Sequence, residues 1–198
     1  GLTHYWKLDD SNTPYLDTVG SASANCVTCP SQTTPGLIGS AQNFDVVDDA
    51  LSVGDFTTIN WDSNQSFSIE FWMQKSTSCV GEDAVIGRTD SQTQLKWWVG
   101  CSGSGEAMFE LFDQSGSGQS LTGTTSIVDG DWHHIVAVRD AGIGENRLYV
   151  DGALEASTSI SYAERFTSQT AARNIGWLDD GAVDYHFSGV VDEVALHT

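Results

Sequence analysis

Apolar and polar residues alternate with a period of two along most of this chain, and no window sustains a 3.6-residue period long enough for a helix. In FSIEFWMQK, Phe67, Ile69, Phe71 and Met73 fall on one face and Ser68, Glu70, Trp72 and Gln74 on the other, as in a strand with one wetter side. The segments AVIGRT, LKWWVGC, AMFELFDQ, HHIVAVRD, RLYVDG, LEASTSI, RNIGWL and FSGVVDEVAL follow at short spacings, divided by Gly, Ser, Asp and Asn clusters that read as turns. Many short strands joined this way predict an all-β sandwich or barrel. The stretch from Thr18 to Ser40, TVGSASANCVTCPSQTTPGLIGS, has no strand character; so long a loop in a compact domain is functional or stapled.

The stretch GDWHHIVAVRDAGIGENRLYVDGAL holds two adjacent histidines. Alternation places Trp132, His134, Val136 and Val138 on one face and His133, Ile135, Ala137 and Arg139 on the other. The histidines then point to opposite sides of a sheet and cannot share a metal ion. Asp151-Gly152 suits a two-residue type I′ hairpin turn.

With 198 residues the chain reads as a single domain, 1–198. Eight Lys and Arg against 27 Asp and Glu give a net charge of −19, a balance that repels phosphate backbones and anionic lipid surfaces. Nucleic acid is therefore excluded as a partner, and no apolar run approaches the roughly 20 residues of a membrane-spanning helix. Both ends, GLTHYWKLDD and VVDEVALHT, read as strands, so the chain is expected to be one module beside flanking domains of a larger protein. Sequence neighbourhood pairs Cys26 with Cys29 and Cys79 with Cys101. The second bridge closes a loop worth about 3 kcal/mol and implies an oxidising, extracellular setting. The rival readings are a four-thiolate zinc site, which wants two closely spaced pairs, and a redox C-x-x-C, which wants a following helix where CVTCPSQTTPG offers Pro and Gly. Asn64, in NQS, is a glycosylation sequon.

GDWHHIVAVRDAGIGENRLYVDGAL resembles the signature of laminin-G-like, concanavalin A-like jelly-roll domains, in which W-H-H opens a strand and L-Y-V-D-G closes the next. GSAQNFDVVDDALSVG is similar to that family's early strand pair, FSIEFWMQ to its following strand and FSGVVDEVALHT to its terminal strand. The resemblance spans about Gly39 to Thr198 and implies an antiparallel β-sandwich of the jelly-roll type. The C-x-x-C loop, the Cys79/Cys101 pair and the double Trp of LKWWVG depart from it, so no relative's ligand specificity carries over.

Some enzymes on this scaffold hydrolyse glycosides with two carboxylates on one strand face. Here Glu70 and Glu110 stand alone, Asp192 and Glu193 are adjacent and so face opposite ways, and there is no Gly-x-Ser-x-Gly elbow. A non-catalytic role is expected. Asp192 shares parity with Val190, Val194 and Leu196 and so reads as inward, where an ionised carboxylate needs a cation or a set of amides. The partner is an Arg, a Lys, turn amides or a bound calcium. The resemblance implies a structural calcium held by Asp17, Asn25 and Asp192. The acidic segment GWLDDGAVDY follows RNIG, the end of a strand in the family pattern, and reads as a rim loop, either a solvated turn or part of a sugar site. Sugar recognition needs a flat ring for the C–H face and carboxylates or amides for the hydroxyls. Trp177, Asp179 and Asp180 would supply the rim, with Trp98 and Tyr162 as an aromatic platform; Trp6, Trp72, Trp97 and Trp132 are assigned to the core. The expectation is a non-catalytic, calcium-containing extracellular module that binds cell-surface or matrix carbohydrate, as part of an adhesin or pilus-associated protein. The alternative is a structural or protein-binding spacer.

Overall fold

The computed structural model describes residues 1–26, 28–54, 59–179 and 184–198. The first strands are β1 (Leu2–Trp6), β2 (Ala24–Cys26), β3 (Ser31–Thr33), β4 (Ala41–Phe44), β5 (Leu51–Val53) and β6 (Phe67–Gln74). Next come β7 (Asp83–Thr89), β8 (Lys96–Cys101), β9 (Glu106–Phe112), β10 (Gly118–Ser126), β11 (Trp132–Asp140), β12 (Glu145–Val150) and β13 (Ala153–Ser159). The chain ends with β14 (Arg173–Ile175), β15 (Trp177–Asp179), β16 (Asp184–His186) and β17 (Gly189–His197). One sheet runs β13-β12-β11-β6-β17-β4-β3, with β1 also on β17; the other runs β10-β9-β8-β7-β14-β5-β2; β15 and β16 form a separate hairpin. Every pairing between these strands is antiparallel, so the architecture is the expected all-β jelly-roll sandwich.

The alternation drives this packing. In β6 the four residues Phe67, Ile69, Phe71 and Met73 are buried, and Ile135 and Ala137 of β11 join them. Trp97 and Val99 of β8 and Phe109 and Leu111 of β9 face them from the second sheet. Each large apolar side chain so buried contributes about 1.5–3 kcal/mol. Trp6 and Trp97 are core residues as expected, whereas Trp72 and Trp132 are half-buried on the outer side of their strands. The paired edges are tied together by Glu155 of β13, whose Oε2 accepts the Thr124 and Thr125 amides of β10 at 2.7 and 3.1 Å.

Several local expectations change. Thr18–Ser40 is not strand-free, since it supplies β2 and β3. RNIGWL is broken at Gly176, whose φ of +83° suits glycine and where a Cβ would lie 2.3 Å from the Phe44 ring. β10 carries one buried apolar residue, Leu121, and so shows no alternation to read. Asp151 and Gly152 have φ of 51° and 80°, as a type I′ turn requires. Both bridges form as expected, Cys26–Cys29 and Cys79–Cys101, and among the described residues no cysteine is free.

Candidate functional site

The break at Gly176 sends β15 and β16 across the outer face of the second sheet. Leu178 turns inward and packs with Ala84 and Trp98, sealing that face. Trp177 and Asp179, on the other side of the short strand, line a groove of about 620 Å³, within the range of small-ligand sites. Its other walls are the turn between β7 and β8 and the segment before β14.

Side-chain oxygens shape both walls. Asp90 Oδ1 accepts the Gln92 amide at 2.9 Å, and the Asp90 amide donates to Leu95 O at 2.9 Å, folding the 90–95 turn. Ser168 Oγ likewise accepts the amides of Thr170 and Ala171 at 3.1 and 3.0 Å. Thr170 Oγ1 then donates to Asp90 Oδ1 at 3.5 Å, linking the walls. Among the described residues, three in the wall each hold a buried polar atom without a protein partner: Thr89 Oγ1, Asn174 Oδ1 and Trp177 Nε1. Leaving such a group unpaired costs about 1–3 kcal/mol, which a bound hydroxyl or water relieves. The Trp177 ring stacks on His186 with centroids 5.9 Å apart, which fixes its plane.

Trp177 and Asp179 therefore meet as expected, while Asp180 lies outside the described residues. Trp98 and Tyr162 do not form the predicted platform. Trp98 is 0 % exposed beneath Leu178, its Nε1 donating to Glu110 Oε2 at 2.8 Å. Tyr162 is buried too: its hydroxyl donates to Leu111 O at 2.9 Å and accepts from Asn146 Nδ2 at 2.8 Å, and burial pushes the phenol up to about 12. Sequence parity correctly turns Trp98 off the core face but carries no sign of the distant hairpin that covers it. The missed residues Asp90, Thr89 and Asn174 carry no local signal beyond a polar turn.

The expected calcium set also changes. Asp17 is held by His4 Nδ1 at 2.7 Å and by the amides of Tyr5, Gly20 and Ala22 at 2.8–3.0 Å, so its oxygens are already satisfied. Burial pushes its carboxyl up, yet His4 and the amides of Ala22, Gly20 and Val19 outweigh that and hold it below its ordinary value. Asn25 is exposed on β2, in the other sheet from Asp192, and its Oδ1 accepts from Thr13. Both side chains thus have protein partners of their own.

Asp192 is 0 % exposed, but not through strand parity. A bulge at Glu193, with φ of 55°, shifts the register of β17, and Asp192 pairs with Trp72 on the outer side, where the Ile38 amide donates to its Oδ2 at 3.1 Å. Here β17 changes edge partner from β4 to β1. Asp9 reaches the same loop, accepting the Ser40 amide at 2.7 Å. Gln42, paired with Val191, donates through Nε2 to Leu8 O and Asp10 O. Asp192 Oδ1 and Gln42 Oε1 are left buried and unpartnered. Burial pushes the Asp192 carboxyl up to about 6, Asp9 adding to the rise against the loop amides. An unpartnered carboxylate oxygen and an unpartnered amide oxygen, with Asp9 near enough to raise the Asp192 carboxyl, are oxygen donors of the kind a hard cation takes.

Elsewhere several acids and histidines are paired. Glu70 bridges His197 at 2.8 Å and His134 at 3.3 Å, and His133 lies between Asp151 at 2.8 Å and Asp129 at 3.1 Å. The two adjacent histidines thus serve opposite faces, as alternation requires. Glu110 holds Trp98, Lys96 and Ser120.

The two sheets, the covering hairpin and the polar groove define a jelly roll of lectin-like architecture. The chain belongs to the concanavalin A-like lectin/glucanase superfamily, whose laminin G type 3 profile matches residues 45–198. No relative is found among curated proteins. The binding domain of Paraclostridial mosquitocidal protein 1 superposes with a TM-score of 0.74 at 14 % identity, over 99 % of this chain and 48 % of that one. This chain thus spans about half the length of that domain. Domain 4 of AbnA, an extracellular arabinanase from Geobacillus stearothermophilus solved with arabinotriose, gives 0.70 at 19 % identity over 98 % and 91 % of the two chains. The sialyllactose-bound CBM40 of Ruminococcus gnavus IT-sialidase gives 0.60 at 12 % identity over 79 % and 89 %.

Proposed function

We propose that this chain is one extracellular, non-catalytic carbohydrate-binding module of a larger surface protein such as an adhesin, with its ligand in the groove beside Trp177 and a structural calcium at the fork of β17. The observation that carries the reading is the groove wall, where Thr89, Asn174 and Trp177 hold unpartnered polar atoms next to an aromatic ring. A flat ring with hydrogen-bonding groups around it suits the two surfaces of a sugar. The arabinotriose and sialyllactose complexes of structural neighbours support this kind of ligand, and the two disulfides support an oxidising, extracellular setting. Asp192, Gln42 and Asp9 would hold the calcium, whose charge would satisfy the buried carboxylate and pin the N-terminal segment to β17.

A glycan array run with the folded domain in millimolar calcium and again in EDTA tests the reading. Binding of a defined glycan class, lost in Trp177→Ala, is the expected result. Silence in both buffers would instead favour a structural or protein-binding spacer.

A further inference from the structure

We infer that the groove selects uncharged glycans and rejects acidic ones; this rests on the carbohydrate reading above and adds the ligand's charge class. Among the described residues its ionisable lining consists of Asp90, Asp179 and Lys96. Lys96 is the single cation among them, and it is already committed: Nζ lies 3.2 Å from Glu110 Oε2 and sits over the Tyr185 ring at 5.8 Å. Uronic, sialic or sulfated sugars call for a cation able to meet the acid group, most often a forked guanidinium. None of the five arginines lines the groove, and Arg88 and Arg173, the two nearest in sequence to its walls, are 0 % exposed in the interior. An acidic sugar would instead meet two carboxylates on a molecule of net charge −19, and like charges brought together in a site are costly.

The remaining chemistry favours hydroxyl groups. Thr89 Oγ1 and Asn174 Oδ1 are unpartnered and can accept, Trp177 Nε1 can donate, and Gln92 and Gln94 add amides at the turn. A sugar hydroxyl donates and accepts at once, so it satisfies either kind of atom without bringing a charge.

The test compares matched probes on the wild-type domain by isothermal titration: lactose against α2,3-sialyllactose, and linear arabinan against polygalacturonate, each at low and at 0.5 M salt. The expected result is binding of at least one uncharged member, at least tenfold weaker binding of its acidic counterpart, and loss of binding in Trp177→Ala. Acidic members bound as well as or better than their partners, and lost in Trp177→Ala, would overturn the charge selection while leaving the groove as a sugar site. Binding untouched by Trp177→Ala, or no binding of any probe by the folded domain, would overturn the groove reading itself and this inference with it.

Discussion

Trp97 and Trp98 are neighbours in sequence and point to opposite faces of β8, one into the core and one under Leu178. Trp98→Ala leaves a large cavity beneath the hairpin and removes the indole donor of the Glu110 carboxylate, which keeps Lys96 and Ser120. We expect a loss of about 3–5 kcal/mol in urea unfolding, against the marginal 5–15 kcal/mol of a typical domain. Trp177→Ala, at the groove, should cost far less stability and remove glycan binding, so the two variants separate packing from recognition. His133 supplies a pH test. Burial pulls its imidazole down, but the hydrogen bonds to Asp151 and Asp129 outweigh this and hold it above its ordinary value. Its stabilising contribution is therefore full below the unfolded value near pH ~6.5 and is lost as pH rises through the folded one. The melting-temperature gap between wild type and His133→Gln should narrow from pH 6 to pH 9, and a gap constant across that range would contradict the clamp.

Elements differ in how firmly sequence dictates them, and the bridges mark where the chain needs help. Cys79–Cys101 spans 22 residues and Cys26–Cys29 only three. In the chain-entropy model the first contributes about 3 kcal/mol and the second about half that. Replacing Cys79 and Cys101 together by Ala should lower the denaturation midpoint more than the same change at Cys26 and Cys29; equal losses would point to local packing instead of loop closure. β6, β11 and β12 are legible because one face meets the core and the other meets water, so burial writes a period of two into them. β10 is not, because its nine residues lie on an edge with Leu121 as their buried apolar contact. The site is half legible for a related reason. Trp177 and Asp179 stand out as an aromatic beside acids, whereas Asp90 and Asn174 join them only through sheet topology. Asp192 shows the limit most clearly: its need for a partner follows from burial, but the bulge that turns it outward and the loop that covers it are tertiary facts.

At the scale of the whole molecule the charge is strongly one-signed. Arg88, Arg173, Arg139 and Lys75 are buried, but so are acids such as Asp83, Asp113, Asp192 and Glu193, and the surface keeps a large acidic excess out of the net −19. Self-repulsion of this kind weakens the compact state and is screened by salt. The Debye length falls from about 30 Å at 0.01 M to about 8 Å at 0.15 M, so the melting temperature should rise over that range in wild type and variants alike. Calcium at the β17 fork would add something different in kind, because it acts at one buried carboxylate instead of across the surface. At one hundred times its dissociation constant a bound ion contributes about 2.7 kcal/mol, which for a domain of this size is roughly 5–10 °C. Melting curves at equal ionic strength, with calcium exchanged for sodium, separate the two effects. We expect the calcium increment in wild type and its loss in Asp192→Asn, with the salt increment kept in both; a calcium increment that survives Asp192→Asn would place the ion away from the fork and leave Asp192 to its loop amides alone.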